Sequence, residues 1–205
     1  QNGMEAAILK LAAANVPVLG ICGGYQMLGE SIEDPDGEEG GGSLHGMGLL
    51  PVRTVFGKEK VQTRVTGEIL QNPGAGDGLF AALSGSVFSG YEIHMGHTTG
   101  NGKNSFSRIR TLTNGSTEAE EDWQADGAVC GNVAGTYVHG LFEDGSLTKN
   151  LCGALLSKKG ICAEALTQDY GAFKESQYDL LAEKVRKALD MEQIYRMMEK
   201  QEGDR

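Results

Sequence analysis

The chain has 205 residues, enough for one domain with a sizeable buried core, and the expected organisation is a single domain over residues 1–205. It carries 28 Asp and Glu against 18 Lys and Arg, a net charge of -10 that repels phosphate backbones, and no basic stripe offsets it, which argues against nucleic acid as a ligand. No apolar run approaches the ~20 residues of a membrane helix and no secretory signal opens the chain, so no membrane partner is expected and the expected compartment is the cytoplasm.

Residues 4–14 (MEAAILKLAAA) carry apolar positions at helical spacing, and Asn15 ends the helix. The short apolar run at 16–21, with Pro17 near its start, predicts a strand buried in a parallel sheet. Helical character resumes at 25–30. Helix, strand, tight turn and helix in that order belong to α/β architecture. Residues 31–48 are polar, acidic and rich in glycine, and predict a solvated loop. Strand character returns at 49–56, 61–65 and 86–94, while 100–115 reads as a mobile excursion. Residues 129–138 predict another strand, leading into VHGLFEDGS, and a helix follows over 147–158. An amphipathic helix covers 178–198, where Leu181, Val185, Ala188 and Leu189 recur at helical spacing. No internal repeat and no second hydrophobic core are evident. Gln1 is not an initiator and helical sequence begins almost at once, so the chain reads as part of something longer.

The stretch GICGGYQMLG lies between the predicted strand and helix. Cys22 has Gly20 two residues before it and Gly23 and Gly24 directly after. A free cysteine often fills an apolar strand end. Glycines on both sides point elsewhere, because a nucleophile on a sharp strand-to-helix turn needs small neighbours. The N-terminus of the following helix favours thiolate, and amides of the same turn can stabilise an oxyanion. The four cysteines, Cys22, Cys130, Cys152 and Cys162, form no CxxC pair and suit reduced thiols.

A thiolate that transfers acyl groups also needs a base. There are four histidines, and His45 lies in the glycine-rich loop, where it reads as solvated. His139 ends a strand in GTYVHG. The C-terminal ends of parallel strands share one edge of a sheet, so Cys22 and His139 can meet there. His94, in GYEIHMGHT, has Glu92 two residues earlier, on the same face of a strand. His94 and His97 without a third ligand do not make a metal site, and no metal is expected.

GICGGYQMLG, GYEIHMG and GTYVHGLFED, in that order and spacing, resemble the glutamine amidotransferase domains of the cobyric acid synthase family. The resemblance extends through GMGLLPVRTVF and YDLLAEKVRKALD and so covers essentially the whole chain. It implies a flavodoxin-like three-layer α/β sandwich of the class I amidotransferase type, which hydrolyses glutamine through a cysteine thioester. The released ammonia would feed an ATP-dependent, covalently linked synthetase domain that amidates carboxylates of a corrin. Carried over by motif, Cys22 is the nucleophile and His139 the general base. Gln26 lies beside the substrate, and the Gly23 amide donates to the oxyanion. Arg64, in TRVTG, is the candidate partner of the glutamine α-carboxylate. Most class I domains carry a glutamate two residues after the histidine; here that position is Leu141. Glu92 becomes the candidate orienter of the imidazole, with Glu143 and Asp144 behind it. No cofactor is expected in this domain; ATP and Mg belong to the synthetase part. The resemblance places that part, and a loop carrying a second oxyanion donor, ahead of Gln1.

Two related glutaminases compete. That of cobyrinic acid a,c-diamide synthase typically lacks the YQMLG continuation. That of a cell-wall-amidating complex shares CGGYQ and GTYxHG but differs where this chain reads YEIHMG and HGLFE. A docking domain of the same fold without chemistry is the third alternative, and the intact Cys22, Gln26 and His139 count against it.

Overall fold

A computed structural model describes residues 3–76, 78–100, 102, 104–112, 123–143, 145–162 and 170–202. The chain forms two compact units, Gln1–Leu166 and Thr167–Arg205. The first begins with helix α1 (Met4–Ala13), and Asn15, at φ +59°, takes the left-handed conformation that asparagine tolerates after a helix. Strand β1 (Val18–Ile21), the turn at Cys22 and helix α2 (Gly23–Leu28) follow. The remaining elements are β2 (Ser31–Asp34), β3 (Gly42–His45), β4 (Arg53–Ile69), β5 (Val87–Thr99), β6 (Ser107–Thr111), β7 (Gln124–Asp126), β8 (Ala128–Cys130), β9 (Val133–Thr136), β10 (Val138–His139) and α3 (Gly145–Lys158).

The class is α/β, as expected. Among the described residues the strands divide between two sheets. In the smaller, β1 runs parallel to β9, with β8 antiparallel on the far side of β9. The larger has the order β10-β5-β4-β2-β3, with β6 and β7 also joined through β4. Its pairings are antiparallel apart from β2 with β4. Val65, Phe88 and Val138 of the larger sheet share one apolar cluster with Val129 and Ala134 of the smaller, so the sheets pack against a common core. A second cluster gathers Tyr25 and Leu28 of α2 with Leu50, Val52, Val133 and Tyr137. The expectation of a single core is corrected by α2, which buries its own apolar side among different partners.

Several predicted boundaries move, each for a physical reason. Residues 31–48 are not simply a solvated loop: β2 and β3 form a hairpin there. The Asp34 carboxylate closes it by accepting the amides of Glu38, Glu39 and Gly41. Of the strand expected at 49–56 only the part from Arg53 onward forms, residues 49–52 lying outside any strand. That part and 61–65 belong to the one long β4, whose pairing with β5 shifts register between Phe56 and Val61. The supposed excursion at 100–115 contains β6, which pairs with β4 and buries Ser107 and Ile109; residues 101, 103 and 113–115 lie outside the described residues. Residues 129–138 hold parts of three strands, because Gly131 at φ +57° reverses the chain and Tyr137 carries it to the other sheet. The second unit contains two helices, α4 (Tyr170–Ala188) and α5 (Met191–Glu202), where one was expected over 178–198. They are separated at Asp190, whose carboxylate accepts the Gln193 amide as an N-cap.

Candidate active site

Cys22 stands immediately beyond β1. Its amide donates to the Thr136 carbonyl at 2.9 Å, extending the parallel ladder in which Ile21 faces Thr136. The chain then turns sharply into α2. Cys22 has φ 54° and ψ -115°, a region that non-glycine residues rarely enter and that costs about 1–3 kcal/mol. Such strain persists only where the surroundings impose it, and Gly20 shows how they do. A Cβ there would lie 2.6 Å from Leu28 Cδ1 and 2.7 Å from the Gly24 carbonyl atoms, so only glycine lets α2 cross β1 so closely. Gly23 and Gly24 are different: a Cβ at either would meet nothing within 4 Å. They leave space around the thiol rather than relieve a clash.

α2 has six residues and stops two short of the predicted end, so its macrodipole adds little to the thiol environment. Its first internal bond runs from the Gln26 amide to the Cys22 carbonyl, at 3.1 Å. The amides of Gly23, Gly24 and Tyr25 therefore have no acceptor within the helix. The Cys22 thiol itself donates to the Ile93 carbonyl of β5 at 3.4 Å.

His139, in β10, faces Tyr91 of the same strand β5. Tyr91 and Ile93 are two residues apart, roughly 7 Å along a strand. β5 is thus a common wall for the thiol and the imidazole. Arg64 faces Tyr91 from the other side, on β4. Directly paired residues share a sheet face, so Arg64, Tyr91 and His139 form one cross-strand row, with Arg64 exposed at its end.

Glu92 does not join that row. It faces Val138, and its Oε1 lies 2.8 Å from His94 Nε2. Alternation along β5 puts Glu92 and His94 on the face opposite Tyr91. The structure therefore gives Glu92 to His94 rather than to His139, a correction of the expected orienter. His94 Nδ1 lies 2.7 Å from the Gly96 carbonyl, which only accepts, so this nitrogen carries a proton. Of the other orienter candidates, Glu143 places Oε1 3.7 Å from where a Gly140 Cβ would stand, close beside His139 in the chain. Asp144 lies outside the described residues. His97 faces Val55 and, three residues from His94, lies on the opposite face of β5. His45 is exposed in β3, opposite Ser31.

Gln26 is buried and donates through Nε2 to the Tyr137 hydroxyl at 3.3 Å. That hydroxyl is 2.6 Å from Thr98 Oγ1, which is 2.7 Å from Thr54 Oγ1. The His94 ring stacks on Tyr137 with centroids 3.8 Å apart. Glu92, His94, Tyr137 and Gln26 are thus one cluster behind the turn that carries the thiol. Burial pushes the Tyr137 hydroxyl above its ordinary range, against the lowering effect of its hydrogen bonds from Thr98, Gln26 and Thr54, so it stays protonated.

Sequence reasoning missed Tyr137 and Asp126. Asp126 is buried and accepts from Ser107 Oγ at 2.7 Å, Thr136 Oγ1 at 2.6 Å and the Tyr137 amide at 3.0 Å. Its signal is masked because an Asp-Gly pair ordinarily marks an exposed turn.

Residues 1–147 match the CobB/CobQ-like glutamine amidotransferase domain model. A cobyric acid synthase of Lachnoclostridium phytofermentans is 43% identical over 203 residues, covering 97% of this chain and 39% of that protein. Another, of Ruminiclostridium cellulolyticum, is 46% identical over 201 residues, covering 97% and 38% respectively. The chain thus spans about two fifths of the length of the curated relatives it matches. A glutamine amidotransferase structure from Thermotoga maritima aligns with a TM-score of 0.38 at 18% identity over 87% of this chain and 64% of that one. The family model, spanning most of the chain and including the Cys22 turn and His139, shows that this chain belongs to the CobB/CobQ-like glutamine amidotransferase domain family.

Proposed function

We propose that this chain hydrolyses glutamine through a thioester on Cys22 and passes the ammonia to an ATP- and Mg-dependent synthetase domain that amidates corrin carboxylates. The observation that carries the reading is the strained Cys22 beyond a parallel strand, with its thiol on Ile93 and His139 beside Tyr91 of the same strand. In this chemistry the Cys22 sulfur attacks the side-chain amide carbon of glutamine while His139 takes the thiol proton. The C–N bond breaks, and His139 returns the proton to the leaving ammonia. Water, deprotonated by His139, then cleaves the thioester to give glutamate and restores the thiol. The Gly23 amide, free of any helical acceptor, supports the tetrahedral oxyanion. Arg64, at the end of the row that includes His139, suits an α-carboxylate. Gln26, buried one turn beyond Cys22 and bonded to Tyr137, braces the substrate wall from behind.

The corrin assignment rests on relatives that are named cobyric acid synthases and are longer than this chain. Among the described residues no helix is long and apolar enough to cross a membrane, in keeping with a cytoplasmic setting. The test is Cys22→Ala in a protein of the relatives' full length. Glutamine-dependent amidation should be lost and amidation from added ammonia retained, because only the former needs the thioester. Glutamine-dependent activity surviving in the variant overturns the reading. Equal loss of both activities points to a collapsed fold instead.

A further inference from the structure

Asp126, only 4% exposed, has no part in the chemistry above. It ends β7 of the larger sheet, and Gly127, at φ +70°, turns the chain into β8 of the smaller. Glycine is required there on space as well, since a Cβ would meet the Gly135 carbonyl oxygen at 2.0 Å. The chain crosses in the opposite direction between β9 and β10, at Thr136, Tyr137 and Val138. One carboxylate joins these two crossings. Its Oδ2 accepts the hydroxyls of Ser107 and Thr136, and its Oδ1 accepts the Tyr137 amide. Thr136 Oγ1 in turn accepts the Val138 amide at 3.0 Å.

Both catalytic groups hang from the second crossing. The Cys22 amide donates to the Thr136 carbonyl, which fixes the nucleophile to the smaller sheet. His139 follows Val138 and pairs with β5, which fixes the base to the larger. The path between the two sheets at this point sets how thiol and imidazole stand to one another. We propose that Asp126 is a positioning residue: by clamping the Thr136–Val138 junction it holds Cys22 and His139 in register for proton transfer. The proposal rests on Cys22 and His139 being nucleophile and base.

Burying this carboxylate is unfavourable: desolvation pushes its acidity down, raising its pKa, and the Glu92 charge adds to that against the three hydrogen bonds. A purely apolar filler would hold the core without that cost, but it could not bind two hydroxyls and an amide at a crossing. Misplacement by a single ångström at a reacting pair can cost about 10²-fold in rate.

The test compares Asp126→Asn, Thr136→Val and Thr136→Ser with the parent protein at full chain length. Glutamine hydrolysis is measured well below each variant's thermal midpoint, with Cys22→Ala run in parallel. Asp126→Asn keeps the shape but replaces an acceptor oxygen by a donor. Thr136→Val removes the hydroxyl that links Asp126 to Val138, and Thr136→Ser retains it. Both disrupting variants should lower kcat by about 10- to 100-fold while KM stays within about threefold, and Thr136→Ser should remain near the parent. Their double variant should be no slower than the slower single, because both act on one junction. If folded Asp126→Asn or Thr136→Val keeps the parent kcat, or if Thr136→Ser is as slow as Thr136→Val, the inference is overturned. A Cys22→Ala protein that still hydrolyses glutamine would instead overturn the reading of the nucleophile on which it rests.

Discussion

At the scale of single residues, a backbone angle and a register make this site. Cys22 takes a conformation that its sequence neighbours permit, and His139 reaches the same wall through its pairing with Tyr91. The sequence made both residues visible because each sits in a glycine-flanked motif at a strand end. It could not reveal which carboxylate serves which histidine. Spacing correctly put Glu92 and His94 on one face of a strand, yet the face turned out to be the one away from His139. That sets apart two substitutions. His139→Ala should lower glutamine turnover by ~10²–10⁴, the range for losing general acid–base catalysis. Glu92→Gln should act through the cluster of His94, Tyr137 and Gln26, raising KM for glutamine more than it lowers kcat. Steady-state kinetics of the two variants side by side check this. A Glu92→Gln protein with unchanged KM and a kcat as low as that of His139→Ala would return Glu92 to the imidazole.

At the scale of elements, the approach of α2 to β1 governs the turn, and the glycines around it divide the labour. Gly20 is needed because backbone passes within van der Waals distance of where its Cβ would be; Gly23 lies in open space. Gly20→Ala should push α2 away and cost about 1–3 kcal/mol, the usual range for overpacking, read as a melting temperature lower by several degrees. Gly23→Ala should leave the melting temperature unchanged and raise KM for glutamine, since its methyl group enters space beside the thiol. If both variants lose stability alike, the open side of the turn is not where substrate lies. The sequence showed the glycines but not this division, because a run of small residues does not say which are crowded. Helical spacing and a short apolar run placed α1, β1 and α3 well. The β2–β3 hairpin escaped notice because its closing device is a side chain, Asp34, set in an acidic run that looks solvated. β6 escaped for a similar reason, being held by pairing with β4 rather than by its own composition.

At the scale of the whole molecule, what this chain contains must be weighed against the length of its relatives, of which it spans about two fifths. The motifs made family membership legible because they set a cysteine, a histidine and glycines in a distinctive order and spacing, in GICGGYQMLG and GTYVHGLFED. The sheet architecture was less legible. Most of the strands among the described residues lie in the larger, mainly antiparallel sheet, and antiparallel pairing is set by contacts far apart in the chain. The oxyanion site bears on activity at this scale. In the proposed chemistry the Gly23 amide is one donor, and a second is proposed to come from the residues by which the longer relatives exceed this chain. Removing one such donor costs about 10²–10³ in turnover. A synthetase partner that gates hydrolysis would slow the separate chain further, because ungated hydrolysis wastes ammonia. Glutamine turnover by the 205-residue chain alone should therefore be at least ~10²-fold slower than by a protein of the relatives' length supplied with ATP and corrin substrate. Steady-state assays of both proteins at equal site concentration, counted by iodoacetamide labelling of Cys22, measure the ratio. Equal rates would mean that Gly23 and its neighbours complete the oxyanion site unaided and that no partner gates the thiol.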